Sequence, residues 1–195
     1  MADAIHIPMF PLGILPLPGE LVPLHIFEPR YKQLLHDAET DDIAFGIYFS
    51  HEVNTEKIGS LMKLETVIKR YVGGEADIIV KCQDIFSMGL LLRTYKDKLY
   101  PGADVRLWSV DNQIFPDQPF LQPFQYYLKL RNIKSSGSHF TLYDAAAELG
   151  LDVSDRFRFL TLSPEKREAF LMNHVRFQTH VLHQEDKSKD VFHLN

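Results

Sequence analysis

The stretch 7–31 sets the pattern on which the rest of the chain is built. It reads IPMFPLGILPLPGELVPLHIFEPRY, with apolar residues threaded among Pro8, Pro11, Pro16, Pro18 and Pro23. Proline fixes φ, removes a backbone donor and pushes the residue before it toward extended geometry, so no helix runs through this spacing. Ile7, Met9, Phe10, Leu12, Ile14, Leu15, Leu17, Leu21, Val22, Leu24, Ile26 and Phe27 are too many apolar side chains to leave in water. The pattern therefore predicts an extended, buried ribbon with tight turns at Gly13 and at Pro18-Gly19. A helix starts where the ribbon ends. Pro29 suits its first turn, Glu28 sits at the positive end of its dipole, and Tyr31, Leu34, Leu35 and Ala38 recur at helical spacing.

Past the polar break Thr40-Asp41-Asp42 the period changes to that of strands. The run 43–49, IAFGIYF, reads as a short buried strand, and 50–57 as a polar surface loop. Over 59–71 one side carries Leu61, Lys63, Glu65, Val67, Lys69 and Tyr71. The other carries Met62, Leu64, Thr66, Ile68 and Arg70, the alternation of a half-solvated antiparallel strand. Gly73-Gly74 offers positive-φ positions for a hairpin, and 76–86 is the return strand. A break is expected near Gly89, then strands over 90–95 and 105–110, the last with the single tryptophan, Trp108.

After Val110 the spacing becomes helical. Phe120, Phe124, Tyr127, Leu128 and Arg131 share one stripe. Thr141 is placed to cap a helix bearing Leu142, Ala145, Ala146 and Leu149 and closed by Gly150. A short helix spans Phe157, Phe159 and Leu160. Ser163-Pro164-Glu165 then starts a last helix with Phe170, Val175, Phe177, Val181 and Leu182 as its apolar positions. Strands followed by helices define an α+β chain. Its expected parts are a β-rich half, 1–112, a helical half, 113–184, and a mobile charged tail, 185–195.

Composition narrows the function classes. The 195 residues are 45% hydrophobic and 24% charged, as in an ordinary globular protein, and a chain of this size buries roughly 70% of its unfolded surface. A net charge of −5 argues against sequence-independent binding to phosphate backbones. The single cysteine, Cys82, excludes an internal disulfide and lies in an apolar run, as a buried core thiol does. No stretch approaches the ~18 apolar residues of a membrane span, and no signal-peptide pattern opens the chain, so a soluble, cytoplasmic protein is expected.

The ordered run Phe10, Pro11, Leu12, Gly13, then Pro18, Gly19, then Pro23, Leu24, His25, Ile26, Phe27, Glu28, Pro29, Arg30, Tyr31 resembles the opening of the Lon substrate-binding (LON) domain. That domain forms the amino terminus of Lon proteases and also occurs in cereblon and in small stand-alone bacterial proteins, the type this chain resembles more. The resemblance implies a PUA-like β pseudo-barrel with one early helix, followed by a carboxy-terminal helical bundle. It implies a non-catalytic module that binds unfolded or tagged polypeptides for a protease or chaperone chain. It also makes Pro11, Gly13, Gly19, Glu28, Pro29, Arg30 and Tyr31 a structural signature. PUA-like barrels include RNA-binding modules, so an RNA-binding or small-ligand-binding module is the alternative. Self-association stays open.

Candidate chemistry is sparse. No G-x-x-x-x-G-K-[ST] run exists to cradle a phosphate, and Ser188-Lys189 lies in the charged tail with nothing to orient a dyad. His180 and His183 are three apart in the last helix, near His174, but no H-E-x-x-H accompanies them, so they read as a helix surface. No catalytic residue, metal or cofactor is expected. His25 reads as a ring satisfied by the backbone or as a polar anchor in a groove. Glu28 and Arg30 read as a cap or ion pair and an anchor. Met9, Phe10, Leu24, His25 and Phe27 are the candidate polypeptide contacts, with Phe115, Phe120 and Phe124 as a second apolar patch.

Overall fold

The computed structural model describes residues 4–111, 113–133 and 140–192, with side chains described through 185. The chain divides into two compact units, Met1–Asn112 and Gln113–Asn195. The first holds strands β1 (Ile5–Leu12) and β2 (Leu21–Ile26), helix α1 (Pro29–Thr40), and strands β3 (Phe45–Phe49), β4 (Ile58–Arg70), β5 (Ala76–Leu92) and β6 (Gly102–Leu107). Its sheet runs β2-β5-β4-β3-β1-β6, and a β5–β6 pairing closes it. Five strands thus form a ring, with β2 outside it on the edge of β5. Only β1–β3 is parallel among the pairs of the described residues.

The prolines of the ribbon fit this topology. β1 pairs with β6 over Ile5 to Pro8 and with β3 over Met9 to Leu12. Each half is therefore paired on one side only, and a proline nitrogen has an unpaired side to face. Between β1 and β2 the chain turns at Pro18-Gly19. The Glu20 N–H donates to the Leu17 carbonyl at 2.9 Å, and Gly19 takes φ +89°, the arrangement of a type II turn. Gly13 lies at a bend without positive φ.

Burial corrects the first expectation. Ile7 to Phe10 and Leu15 to Pro18 are buried, but β2 alternates, with Leu21, Pro23 and His25 exposed and Ile26 buried. The ribbon's second half lies on the surface of the sheet, because only one of the two side-chain faces of β2 is covered. The alternation read over 59–71 also fails beyond Lys63. Register shifts at Leu64/Thr66 and Val67/Lys69 turn side chains off their expected faces, and Ile68 is 61% exposed. β5 does not break at Gly89. It runs for 17 residues, absorbing the strand expected over 90–95, and bulges between Met88 and Leu91 against β6. β6 ends at Leu107 rather than Val110. The Asp84 carboxylate accepts the N–H groups of Ser109 and Val110 at 3.1 and 3.0 Å, and Ser109 has φ 52°.

In the second unit α2 (Gln118–Leu130), α3 (Leu142–Glu148), α4 (Val153–Thr161) and α5 (Pro164–Phe192) follow one another. Thr141 and Asp144 close a capping box at the start of α3, and Gly150 ends it at φ +61°. Phe120, Phe124, Tyr127 and Leu128 of α2 are buried, as the stripe predicts. The stripe of α5 is met only in part: Val175 is buried as expected, together with Leu171, whereas Phe177 is 67% exposed. Two polar side chains hold the unit together. Gln178 accepts from Tyr127 Oη at 2.6 Å and donates to the Leu149 carbonyl at 2.7 Å, and Arg167 donates to the Leu160 carbonyl at 2.8 Å. The α5 backbone stays helical to Phe192, through residues where charge predicts a tail. Residues 193–195 lie outside those described.

Candidate functional site

The feature that stands out in the first unit is an arm of three strands. β4 pairs with β3 only from Gly59 to Met62, so its later half leaves the ring with the first half of β5 and with β2. Salt links from α1 and the turn after it tie the helix to this arm. Lys32 Nζ reaches Glu75 at 3.0 Å and the Gly73 carbonyl at 2.8 Å, Glu39 pairs with Arg70, and Asp42 pairs with Lys63 at 2.7 Å. Ile26, Ala76, Ile78 and Val80 form the buried side of the arm. The other side faces solvent. There β2 places Leu21, Pro23 and His25, β5 places Lys81, Ile79 and Asp77 opposite them, and Phe27 and Tyr71 lie at the end.

Leu21 is 55% and Phe27 59% exposed, so this face presents large apolar side chains to water. A polar network fixes it. His25 Nδ1 lies 2.6 Å from one Asp77 oxygen, and Tyr71 Oη donates to the other at 2.7 Å. The His25 ring sits 6.0 Å from Phe27, stacked, and 5.8 Å from Tyr71, edge-on. Lys69 Nζ lies 4.5 Å from the centre of the Tyr71 ring. The hydrogen bonds from Tyr71 and His25 hold the Asp77 carboxyl below its ordinary range, and the same bond to Asp77 raises the Tyr71 phenol. The carboxylate is thus committed to orienting two rings. The hairpin that carries Tyr71 turns at Gly73-Gly74, of which only Gly74 has positive φ, 82°.

The structure separates the predicted contacts. Met9 is fully buried and Phe10 is 7% exposed, packed at a tilt of 30° against Tyr31 with ring centres 3.9 Å apart. Both belong to the core, because β1 is enclosed by the ring, and neither is available to a ligand. Leu24 points to the buried side of the arm and is half-buried. His25 and Phe27 share the exposed face. Sequence reasoning missed Leu21, Tyr71 and Asp77 as their neighbours. The β2–β5 register brings Asp77 to His25, and nothing in a single sequence sets that register. In the signature, Glu28 is the N-cap residue without a side-chain capping bond and pairs with Arg30 at 2.8 Å. Pro29 opens α1, and Tyr31 is buried.

The other candidates serve structure. His183 Nε2 lies 3.1 Å from Tyr126 Oη, and His174 lies 3.7 Å from Asp155. No group of three metal-ligating side chains comes together among the described residues. Phe120 and Phe124 are core, while Phe115 is exposed, so the second apolar patch is not one surface. Burial pushes the Cys82 thiol far up, which leaves it unreactive. Among the described residues no helix is long and apolar enough to cross a membrane.

A closed pseudo-barrel with a protruding arm, followed by a helical unit, defines the architecture as α+β. No protein-family model matches the chain, and no curated protein matches it. Solved structures do. A Lon N-terminal domain protein from Xanthomonas campestris superposes with a TM-score of 0.65 at 18% identity, over 85% of this chain and 95% of that one. The N-terminal domain of the Mycobacterium avium complex Lon protease gives a TM-score of 0.60 at 14% identity, over 88% and 98%. The chain has the fold of the Lon N-terminal domain.

Proposed function

We propose that this chain is a non-catalytic module that grips extended, unfolded or tagged polypeptide segments for a protease or chaperone partner, and that the outer face of the β2–β5–β4 arm is the gripping surface. The observation that carries the reading is the apolar and aromatic set Leu21, His25, Phe27 and Tyr71, left in water on a face held rigid by Asp77. Rigid rings presented this way bury area at small cost in side-chain entropy. The fold and the signature resemblance to the Lon substrate-binding domain support the same reading. Affinity is weak, since the bound segment loses its conformational freedom.

The test is a fluorescence-anisotropy titration of a permanently unfolded, carboxymethylated polypeptide against the full chain. Binding in the micromolar range that weakens about 10-fold in Phe27→Ser, with thermal stability unchanged, supports the proposal. No binding at high micromolar concentration counts against it, and a salt-sensitive shift with RNA instead favours the nucleic-acid alternative.

A further inference from the structure

We infer that the free edge of β2 works by strand addition, taking up an extended polypeptide segment with apolar side chains at alternate positions and a glutamate opposite Leu21. The inference rests on the polypeptide-binding reading above and specifies how the segment is held.

Two features fix which backbone groups of β2 face outward. The Cys82 N–H donates to the Glu20 carbonyl at 3.0 Å, so Glu20 turns its carbonyl toward β5. Successive residues of a strand face opposite edges, and the register from Leu21↔Lys81 to Ile26↔Ala76 has no shift. Leu21, Pro23 and His25 therefore turn their backbone groups away from β5. Pro23 agrees independently, because a residue without an N–H is excluded from positions where the ladder needs a donor. β2 ends the sheet, and no described strand lies beyond it.

The outward row is a donor and acceptor at Leu21, an acceptor alone at Pro23, and a donor and acceptor at His25. Another extended backbone offers complementary groups at this spacing. The other open edge of the arm, β4 beyond Met62, carries two register shifts and the charged residues Lys63, Lys69 and Arg70, all of which block strand pairing. β2 has no bulge, and Pro23 alone guards it. The exposed faces of Leu21, Pro23 and His25 ask for apolar neighbours on the added strand. Lys81, paired across from Leu21 and exposed, has no acidic partner among the described residues. Two strand spacings, about 9.6 Å, separate it from the residue added opposite Leu21, a gap that a lysine and a glutamate side chain together span.

The experiment measures a fluorescein-labelled nine-residue peptide with alternating apolar residues and one glutamate. It is titrated against the full chain, wild type and Pro23→Thr, with circular dichroism and thermal melting to confirm folding. Restoring the missing donor should tighten binding about 2- to 10-fold. A copy of the peptide N-methylated along its backbone should bind wild type at least about 10-fold more weakly, and a Glu→Lys copy about 2- to 5-fold more weakly. If folded Pro23→Thr binds no better, or the N-methylated copy binds as well as its parent, strand addition is overturned and the side-chain grip stands. If neither peptide nor unfolded polypeptide binds wild type, the polypeptide reading itself falls. Should Pro23→Thr fail to fold, the N-methylated copy against wild type decides.

Discussion

Two glycines of the first unit should respond to alanine very differently, one with a large loss and one with almost none, and the difference follows from what surrounds them. A Cβ built on Gly59 would lie 2.4 Å from the Phe86 ring and 2.5 Å from the carbonyl oxygen of Ile47. The first neighbour is a fully buried ring that also lies 2.8 Å from the Cβ position of Gly46. The second is backbone of β3, and Gly59 is paired there with Tyr48. Neither can yield without opening the β3–β4 ladder or driving Phe86 from its site. Overpacking costs about 1–3 kcal/mol, and rigid neighbours on both sides place Gly59→Ala at about 3 kcal/mol. For a unit of this size 1 kcal/mol is about 4 °C, so the midpoint should fall by about 12 °C. Gly13, inside the run that resembles the LON-domain opening, has nothing closer to its Cβ position than Ser50 O at 3.9 Å, and its φ is not positive. Gly13→Ala should change stability by less than about 0.5 kcal/mol. Urea and thermal unfolding of both variants by circular dichroism, with m-values compared, give the answer. A loss below about 1 kcal/mol for Gly59→Ala, or an equal loss for Gly13→Ala, refutes the packing argument.

Asp37, buried on α1, accepts from Tyr100 Oη at 2.6 Å and pairs with Lys98 at 2.9 Å. Burial pushes its carboxyl up, but these two bonds outweigh it and leave the pKa lowered. Its stabilising contribution is therefore present above the unfolded carboxylate value of about 3.9 and lost as pH falls through the lower folded value. Asp37→Asn should cost about 1–3 kcal/mol at neutral pH and flatten the acid limb of a stability-versus-pH curve, read by urea midpoints. Asn54 makes three hydrogen bonds, to the Phe49 and Ile58 carbonyls and from the Ile58 N–H, at 2.7–2.9 Å. Asn54→Ala should cost about 2–3 kcal/mol and speed amide exchange in the 50–57 loop. Cys82 should react with a thiol reagent only as fast as the first unit unfolds, so labelling that outpaces unfolding contradicts its burial.

The local signals of the sequence carried far. Pro29, the Thr141 cap and the apolar spacing of 31–38 placed helices correctly, because each acts within a turn or two. Signals that depend on a distant partner did not. The break expected at Gly89 became a bulge, since β6 holds both sides of it in one strand. The ribbon's apolar density predicted burial throughout, yet only one side-chain face of β2 is covered, and which elements pack on a face is a property of the tertiary fold. Asn54 read as loop polarity, but its amide closes that loop from within. His25 and Phe27 are exposed and Met9 and Phe10 are buried, a division within one motif that could not be read without knowing which strand the ring encloses. Asp77, fifty-two residues from His25, was out of reach of any local pattern.

Amide-resolved NMR on titration with a carboxymethylated unfolded protein tests the proposal that the outer face of the arm grips polypeptide. Shift changes should concentrate at Leu21, His25, Phe27, Tyr71 and Asp77, with the amides around Met9 and Phe10 unmoved. Changes confined to the helical unit, or none anywhere at saturating polypeptide, would contradict it.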